Sequence, residues 1–372
     1  MGAGLRTWLN VAVLSFAFIV IIFFNSLLQG WYNQAKEDSV AWEYGQGQLL
    51  NNNYDPYDPF TLQDGHGGIP ENSKHLTPIL IQQGSIYPEG RMVSVVLKGI
   101  DPDQSTIKIP TGVFKNSTAK IPAIIGNRMA TSAQLNVGDE VLLRWRDKNG
   151  TFDAANITVV EIFDTNIASV DDGQIWIPIQ GLWKMTGLQG HATMFVANER
   201  YDYQNTEGWH FQTQKTLLKD VEEIIATESV GSAVMYLVLL AIALLAIFDT
   251  QVLSIFRRQQ EIGTYIALGM TRNQVIRIFT VEGTMYSILA VIVGAIYGTP
   301  IFTWLATTGI QMPASVLQMG MAIPKTMYPY FSFNIIIITI LFVTIAAAIV
   351  SFLPARKIAK MNPVAALKGK LQ

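Results

Sequence analysis

The side chains able to do chemistry in this chain are few and scattered. Its four histidines are His66, His75, His191 and His210. No two stand at i, i+4, no H-E-x-x-H occurs, and no cysteine is present to ligate zinc or form a disulfide. They read as solvated surface residues, with no metal site expected. Asp55, Asp58 and Asp64 offer calcium-type oxygen ligands, but the twelve-residue loop with its terminal Glu is missing. The phosphate-binding pattern G-x-x-x-x-G-K-[ST] occurs nowhere. The chain is therefore not expected to be an enzyme or to bind a cofactor itself, and nothing in it points to nucleic acid.

Two carboxylates stand out because their neighbours are apolar. Asp249 and Glu282 lie inside long hydrophobic segments, where an ionisable group is a functional candidate by default. Asp249 sits only about 10 Å from one end of its segment at 1.5 Å per residue. Both carboxylates are open to pairing with Arg257, Arg258 or Arg277, or to a part in transport. Met312, Met319, Met321 and Met327 cluster beside three prolines. Flexible thioethers suit a lipid or acyl chain, and equally suit ordinary packing.

These residues are held by an alternation of apolar and polar segments. Half of the 372 residues are hydrophobic and 15% charged, a balance between a soluble protein and an all-membrane one. Four stretches have the roughly 20 apolar residues of a spanning helix: Trp8–Leu28, Ser229–Phe256, about 275–306, and Phe331–Pro354. The first is too long for a signal-peptide core and has no A-x-A site after it. Lys and Arg concentrate at Arg6, around Arg257–Arg277 and after Pro354, which predicts that both termini and the middle loop are cytoplasmic. The block between the first two spans has 25 acidic and 15 basic residues and is predicted to lie outside.

The expected division is a cytoplasmic N-terminus with helix 1 (1–30) and an extracytoplasmic α+β domain (31–228). Spans follow at 229–256, 274–306 and 331–354. Between them lie a cytoplasmic helix at 257–273 and an outer loop at 307–330, and 355–372 is a cytoplasmic tail. In the inserted block RMVSVVLKGI, EVLLRW, FDAANITVVEIF and QIWIPI read as strands. A short helix is expected over Gly126–Leu135. Thr213–Glu228 reads as a helix running straight into the second span.

The middle loop has its own punctuation. Ile262, Ile266 and Met270 share a helical face. Gly269 can supply a left-handed stop, and Thr271 to Gln274 matches a capping box. The pattern predicts helix, sharp break, helix. In the third span Gly283, Ser287, Ala290, Gly294 and Gly298 form a small-residue face suited to close helix packing.

Two motifs resemble MacB-type ABC transporter permeases, the broad family of lipoprotein-releasing transmembrane subunits and FtsX. In the loop they are Arg257, Arg258, Glu261, Ile262, Gly263, Leu268, Gly269, Met270, Glu282 and Gly283. At the end of the chain they are Pro354, Ala355, Arg356, Asn362, Pro363, Val364, Ala366 and Leu367. Val95–Asp103, Ile124–Leu143 and Val159–Ile179 are similar to the outer domain of these permeases. The resemblance implies a multi-pass protein of a bacterial inner membrane, with four transmembrane helices and a large extracytoplasmic domain inserted after the first. It implies separate ABC ATPase subunits that bind ATP and Mg, and a second permease copy or a homologous permease. The helix with Ile266 would couple ATP-driven motion into the spans. A lipoprotein, membrane lipid and a periplasmic chaperone or adaptor are further implied partners. Lipoprotein release is the leading function that the resemblance implies. The alternatives are a MacB-like exporter of peptides or drugs and an FtsX-like signal transducer.

Overall fold

The structure is a computed structural model and describes residues 2–71, 73–203, 205–313 and 324–359. It divides into two compact units. A helical unit contains residues 1–31, 225–310 and 326–372. An inserted domain contains 32–224 and 311–325.

Four helices are long and apolar enough to cross a membrane. Helix α1 is Gly2–Ser39. It continues nine residues past the predicted boundary at residue 30, because Trp31–Ser39 contains no Gly or Pro to stop it. In the inserted domain the short helices are α2 (Asn127–Ala133), α3 (Ala168–Asp171), α4 (Ile179–Thr186) and α5 (Gln214–Leu217). Helix α6 is Lys219–Arg257, so the helix expected to run unbroken from Thr213 is interrupted at Leu218. Helices α7 (Gln259–Ala267), α8 (Arg272–Thr308) and α9 (Phe333–Ala359) complete the set.

The helical unit packs around Leu14, Phe18, Leu240, Ala243, Ile247, Ala290, Val343 and Ala347, one layer from each long helix. The small-residue face of α8 is buried along its whole length. A Cβ on Gly283 would stand 2.8 Å from Gln251 Nε2 and overlap the Ser351 side chain. One on Gly298 would overlap Ile19. Backbone proximity, which only small residues permit, brings these helices together.

The inserted domain is built on nine strands in the order β11-β1-β10-β3-β4-β8-β5-β7-β6. Their ranges are β1 Gly47–Asn51, β3 Leu76–Ile86, β4 Val93–Ile100, β5 Pro122–Gly126, β6 Glu140–Arg146, β7 Phe152–Phe163, β8 Gln174–Pro178, β10 Met194–Ala197 and β11 Trp209–Thr213. A separate two-stranded ladder joins β2 (Gly67–Gly68) to β9 (His191–Ala192). Strand β6 also pairs back onto β3, so six strands close on themselves. The pairs β4–β8 and β5–β7 are parallel and the others antiparallel. Apolar clusters cover both faces of the central strands. Leu80, Ile125, Ile175 and Ile177 lie on one, and Ile79, Ile81, Ile124 and Trp176 on the other. Two-sided cover explains why those strands read as continuous apolar runs. Strand β6 alternates buried and exposed residues and keeps one open face.

Candidate functional site

Helix α6 ends at Arg257 and α7 begins at Gln259, so Arg258 alone makes the bend. Its N–H donates to the carbonyls of Ser254 and Ile255, and its carbonyl accepts from Ile262 N–H at 3.0 Å. The side chain fixes the bend. Nε donates to Glu261 Oε2 at 2.7 Å and a terminal nitrogen donates to Glu282 Oε2 at 2.8 Å. The guanidinium also lies 5.0 Å from the Phe279 ring centroid.

Outside residues 31–228 the sequence has only three acidic residues, Asp249, Glu261 and Glu282. Two of them converge on Arg258. The Glu261 bond raises the Arg258 pKa above an already high value, against the opposing effect of burial, so the cation is permanent. Both Arg258 and Glu282 stay about a third exposed. Solvent therefore limits each pair to about 1 kcal/mol or less, and their effect is on geometry more than stability.

The far end of α7 is closed by a Schellman motif. Gly269 N–H donates to the Ile266 carbonyl at 3.1 Å, and Met270 N–H to the Tyr265 carbonyl at 3.0 Å. This needs the positive φ of 96° at Gly269. Thr271 and Gln274 then form a reciprocal capping box that starts α8. Both ends of α7 are thus specified by local bonds within a few residues.

One face of α7 docks on the long helices. Ile262 is buried with Ile255 of α6, Val275 and Phe279 of α8 and Ala355 of α9. Tyr265, Ile266 and Met270 pack around that cluster. Burial of Ile262 contributes about 1.5–3 kcal/mol. The other face is open: Arg257, Gln260, Glu261, Thr264, Ala267 and Gly269 are exposed, and Leu268 is 80% exposed. The residues read together in the sequence therefore split into two groups. Arg257, Glu261, Leu268 and Gly269 are free to touch a partner. Ile262 and Gly263 are buried and hold the helix, with Arg258, Ile266 and Met270 half-buried beside them.

Phe279 belongs to the site and was not singled out in the sequence, and Ala355 was named there only as part of the C-terminal motif. Val275, Phe279 and Glu282 stand at i, i+4 and i+7, the spacing that carries that signal. Asp249 lies exposed on α6 and makes no ion pair among the described residues. Of the four methionines, Met327 is buried, Met312 N–H donates to the Lys325 carbonyl, and Met319 and Met321 lie outside the described residues. Asn362, Pro363, Val364, Ala366 and Leu367 of the C-terminal motif also lie outside them.

In the inserted domain, Asp55 and Asp58 accept from the N–H groups of Tyr57 and Phe60 and act as turn caps. Half-buried Arg128 and fully buried Asp171 form an ion pair at 2.8 Å. Burial raises the Asp171 carboxyl pKa, with the Arg128 hydrogen bonds and charge opposing it. His66 and His191 are in direct ring contact, which differs from the reading of solvated, separate histidines. They are 125 residues apart, and only strand pairing brings them together.

Residues 233–363 match the model of the FtsX-like permease C-terminal family. This part of the chain is an FtsX-like permease domain. It contains α7, most of α6 and all of α8. An uncharacterised ABC transporter permease of Methanocaldococcus jannaschii is 26% identical over 44% of this chain. The matched stretch covers 39% of that relative, about two fifths of its length. The lipoprotein-releasing system transmembrane protein LolC of Haemophilus influenzae is 22% identical over 78% of this chain and 75% of its own length. The periplasmic region of MacB from Actinobacillus actinomycetemcomitans aligns with 50% of this chain and 96% of that one, at 10% identity and a TM-score of 0.33. At that score the likeness carries no argument about this chain.

Proposed function

We propose that this chain is the membrane subunit of an ABC transporter, and that α7 receives motion from separate ATPase subunits. The carrying observation is the two-sided build of α7. Its inner face is locked to three long helices through Ile262, and its outer face offers Glu261, Thr264 and Leu268 to a partner. Force applied to the outer face passes through Arg258 directly into α8 at Glu282.

In this reading α7 and both termini are cytoplasmic, in a bacterial inner membrane, and the inserted domain is periplasmic. The Lys and Arg clusters support that orientation. Two permease subunits, identical or homologous, work with two ATPases that bind ATP and Mg. The substrate is a lipoprotein released from the outer leaflet and passed to a periplasmic chaperone. The length of the alignment with LolC supports this over export of peptides or drugs.

The test is reconstitution of the chain with its ATPase partner and a lipoprotein in vesicles. The wild type couples ATP hydrolysis to appearance of lipoprotein in the soluble fraction. Glu261→Lys with Ile262→Asp removes that coupling while membrane insertion persists. Release at the wild-type rate from this variant contradicts the role of α7. ATPase activity governed by a soluble hydrolase, without release, contradicts the substrate.

A further inference from the structure

We propose that His66 and His191 form a two-imidazole binding site for a divalent transition-metal ion, completed by water. Their Nδ1 atoms stand 3.0 Å apart. With metal–imidazole bonds of about 2.0–2.1 Å, one ion bonded to both nitrogens sees them at roughly a right angle. That is the angle between neighbouring donors in tetragonal and octahedral sites, and it is narrower than a tetrahedral one. The geometry therefore favours Cu2+ or Ni2+ over Zn2+.

Both rings are carried on fixed backbone. His191 N–H donates to the Leu188 carbonyl at 3.2 Å, and its carbonyl accepts from the Trp183 indole at 2.8 Å. Gly68 pairs with His191 in the two-stranded ladder, and Ile69 N–H donates to the Gly190 carbonyl on the next turn. On the other side, Gly65 N–H donates to the Thr61 carbonyl at 2.7 Å. Gly67 lies so close to Asn51 and Trp209 that an added Cβ would stand 2.9 Å from Asn51 Nδ2. The donors are thus held before any ion arrives, which lowers the ordering cost of binding.

The pair is open on the His66 side. His66 lines an open cleft of about 460 Å³ shared with Gln63, Gln82 and Asp147, with room for the waters that fill the remaining coordination positions. The rings are inclined at 70° and not stacked. Among the described residues no set of three His, Asp or Glu side chains is placed to hold an ion, so this is a two-ligand site.

The experiment uses the full chain in lipid nanodiscs, titrated with Cu2+ alone and followed by pulsed electron paramagnetic resonance. The wild type is expected to take up one equivalent with two imidazole nitrogens coupled to it. His66→Gln and His191→Gln each leave one nitrogen and weaken apparent affinity at least about tenfold. His75→Gln and His210→Gln leave both readouts unchanged. The proposal is overturned if the wild type shows one coupled imidazole or none, or if the signal follows His210. The two rings then share only a hydrogen bond. The wild-type spectrum is decisive by itself, so a variant that folds poorly does not blunt the test.

Discussion

In the inserted domain Leu80, Ile125, Leu143 and Ile175 have no exposure at all, enclosed by strands that close on themselves. In the helical unit Val234, Leu237, Ile242, Ile296 and Phe342 are each more than half exposed. The same residue types thus face inward in one region and outward in the other. In water the second arrangement costs about 25 cal/mol per Å² of apolar surface. In lipid it costs little, because acyl chains are as apolar as leucine, and helices then associate through close packing and polar contacts. The acids follow the same division: 25 lie within 31–228 and three elsewhere. Two of those three are spent on the single bend at Arg258.

The largest expected effect breaks the enclosed side. Arg128→Met leaves the Asp171 carboxylate buried without its partner and costs about 3–5 kcal/mol. Its pH dependence is set by a carboxyl whose folded-state pKa is already raised, mainly by burial. Such a group contributes full stability below its unfolded value of about 3.9 and loses it as pH rises through the folded value. Removing Arg128 raises the folded value further. The variant should therefore regain melting temperature on acidification from about pH 7.5 to 4.5, relative to wild type, in thermal melts.

The next effect contrasts the two outward surfaces. Ile242→Asp on the exposed flank of α6 should cost about 2.5–3.5 kcal/mol in membrane insertion. Leu142→Asp on the open face of β6 should change stability by no more than about 0.5 kcal/mol. Membrane-integrated yield and thermal melting read the pair, and equal effects would remove the distinction between the surfaces. Gly283→Ala comes third: its methyl meets Ser351 and Gln251 and should cost about 1–3 kcal/mol. Gly68→Ala has nothing within 4 Å and should be near neutral. The smallest is Glu282→Gln, which weakens one partly exposed ion pair and should lower stability by about 1 kcal/mol or less.

Features held by short-range bonds were legible in the sequence. Gly269, Thr271 and Gln274 announce their own caps, and the small-residue face of α8 follows from spacing alone. The strands β4, β6, β7 and β8 appear within a residue or two of their predicted ends because Gly, Pro and Asp bound them. Strands β1, β10 and β11 were not legible, since their apolar residues are enclosed only by pairing with distant segments. The His66–His191 contact and the Arg128–Asp171 pair escaped for the same reason. Around α7, the family resemblance grouped Ile262 and Leu268 as coupling residues. Only packing against Phe279 and Ala355 reveals that the first is inward and the second exposed.

The central claim is that the open face of α7 meets an ATPase. The sequence contains no cysteine, so a single introduced thiol is a unique reporter. Leu268→Cys places it on the exposed face and Ile262→Cys on the buried one. With the reconstituted ATPase and a short bifunctional cross-linker, Leu268→Cys should join to the ATPase with a yield that changes on adding ATP, and Ile262→Cys should not. Absence of any ATPase adduct at Leu268, or equal adducts from both positions, would contradict the account.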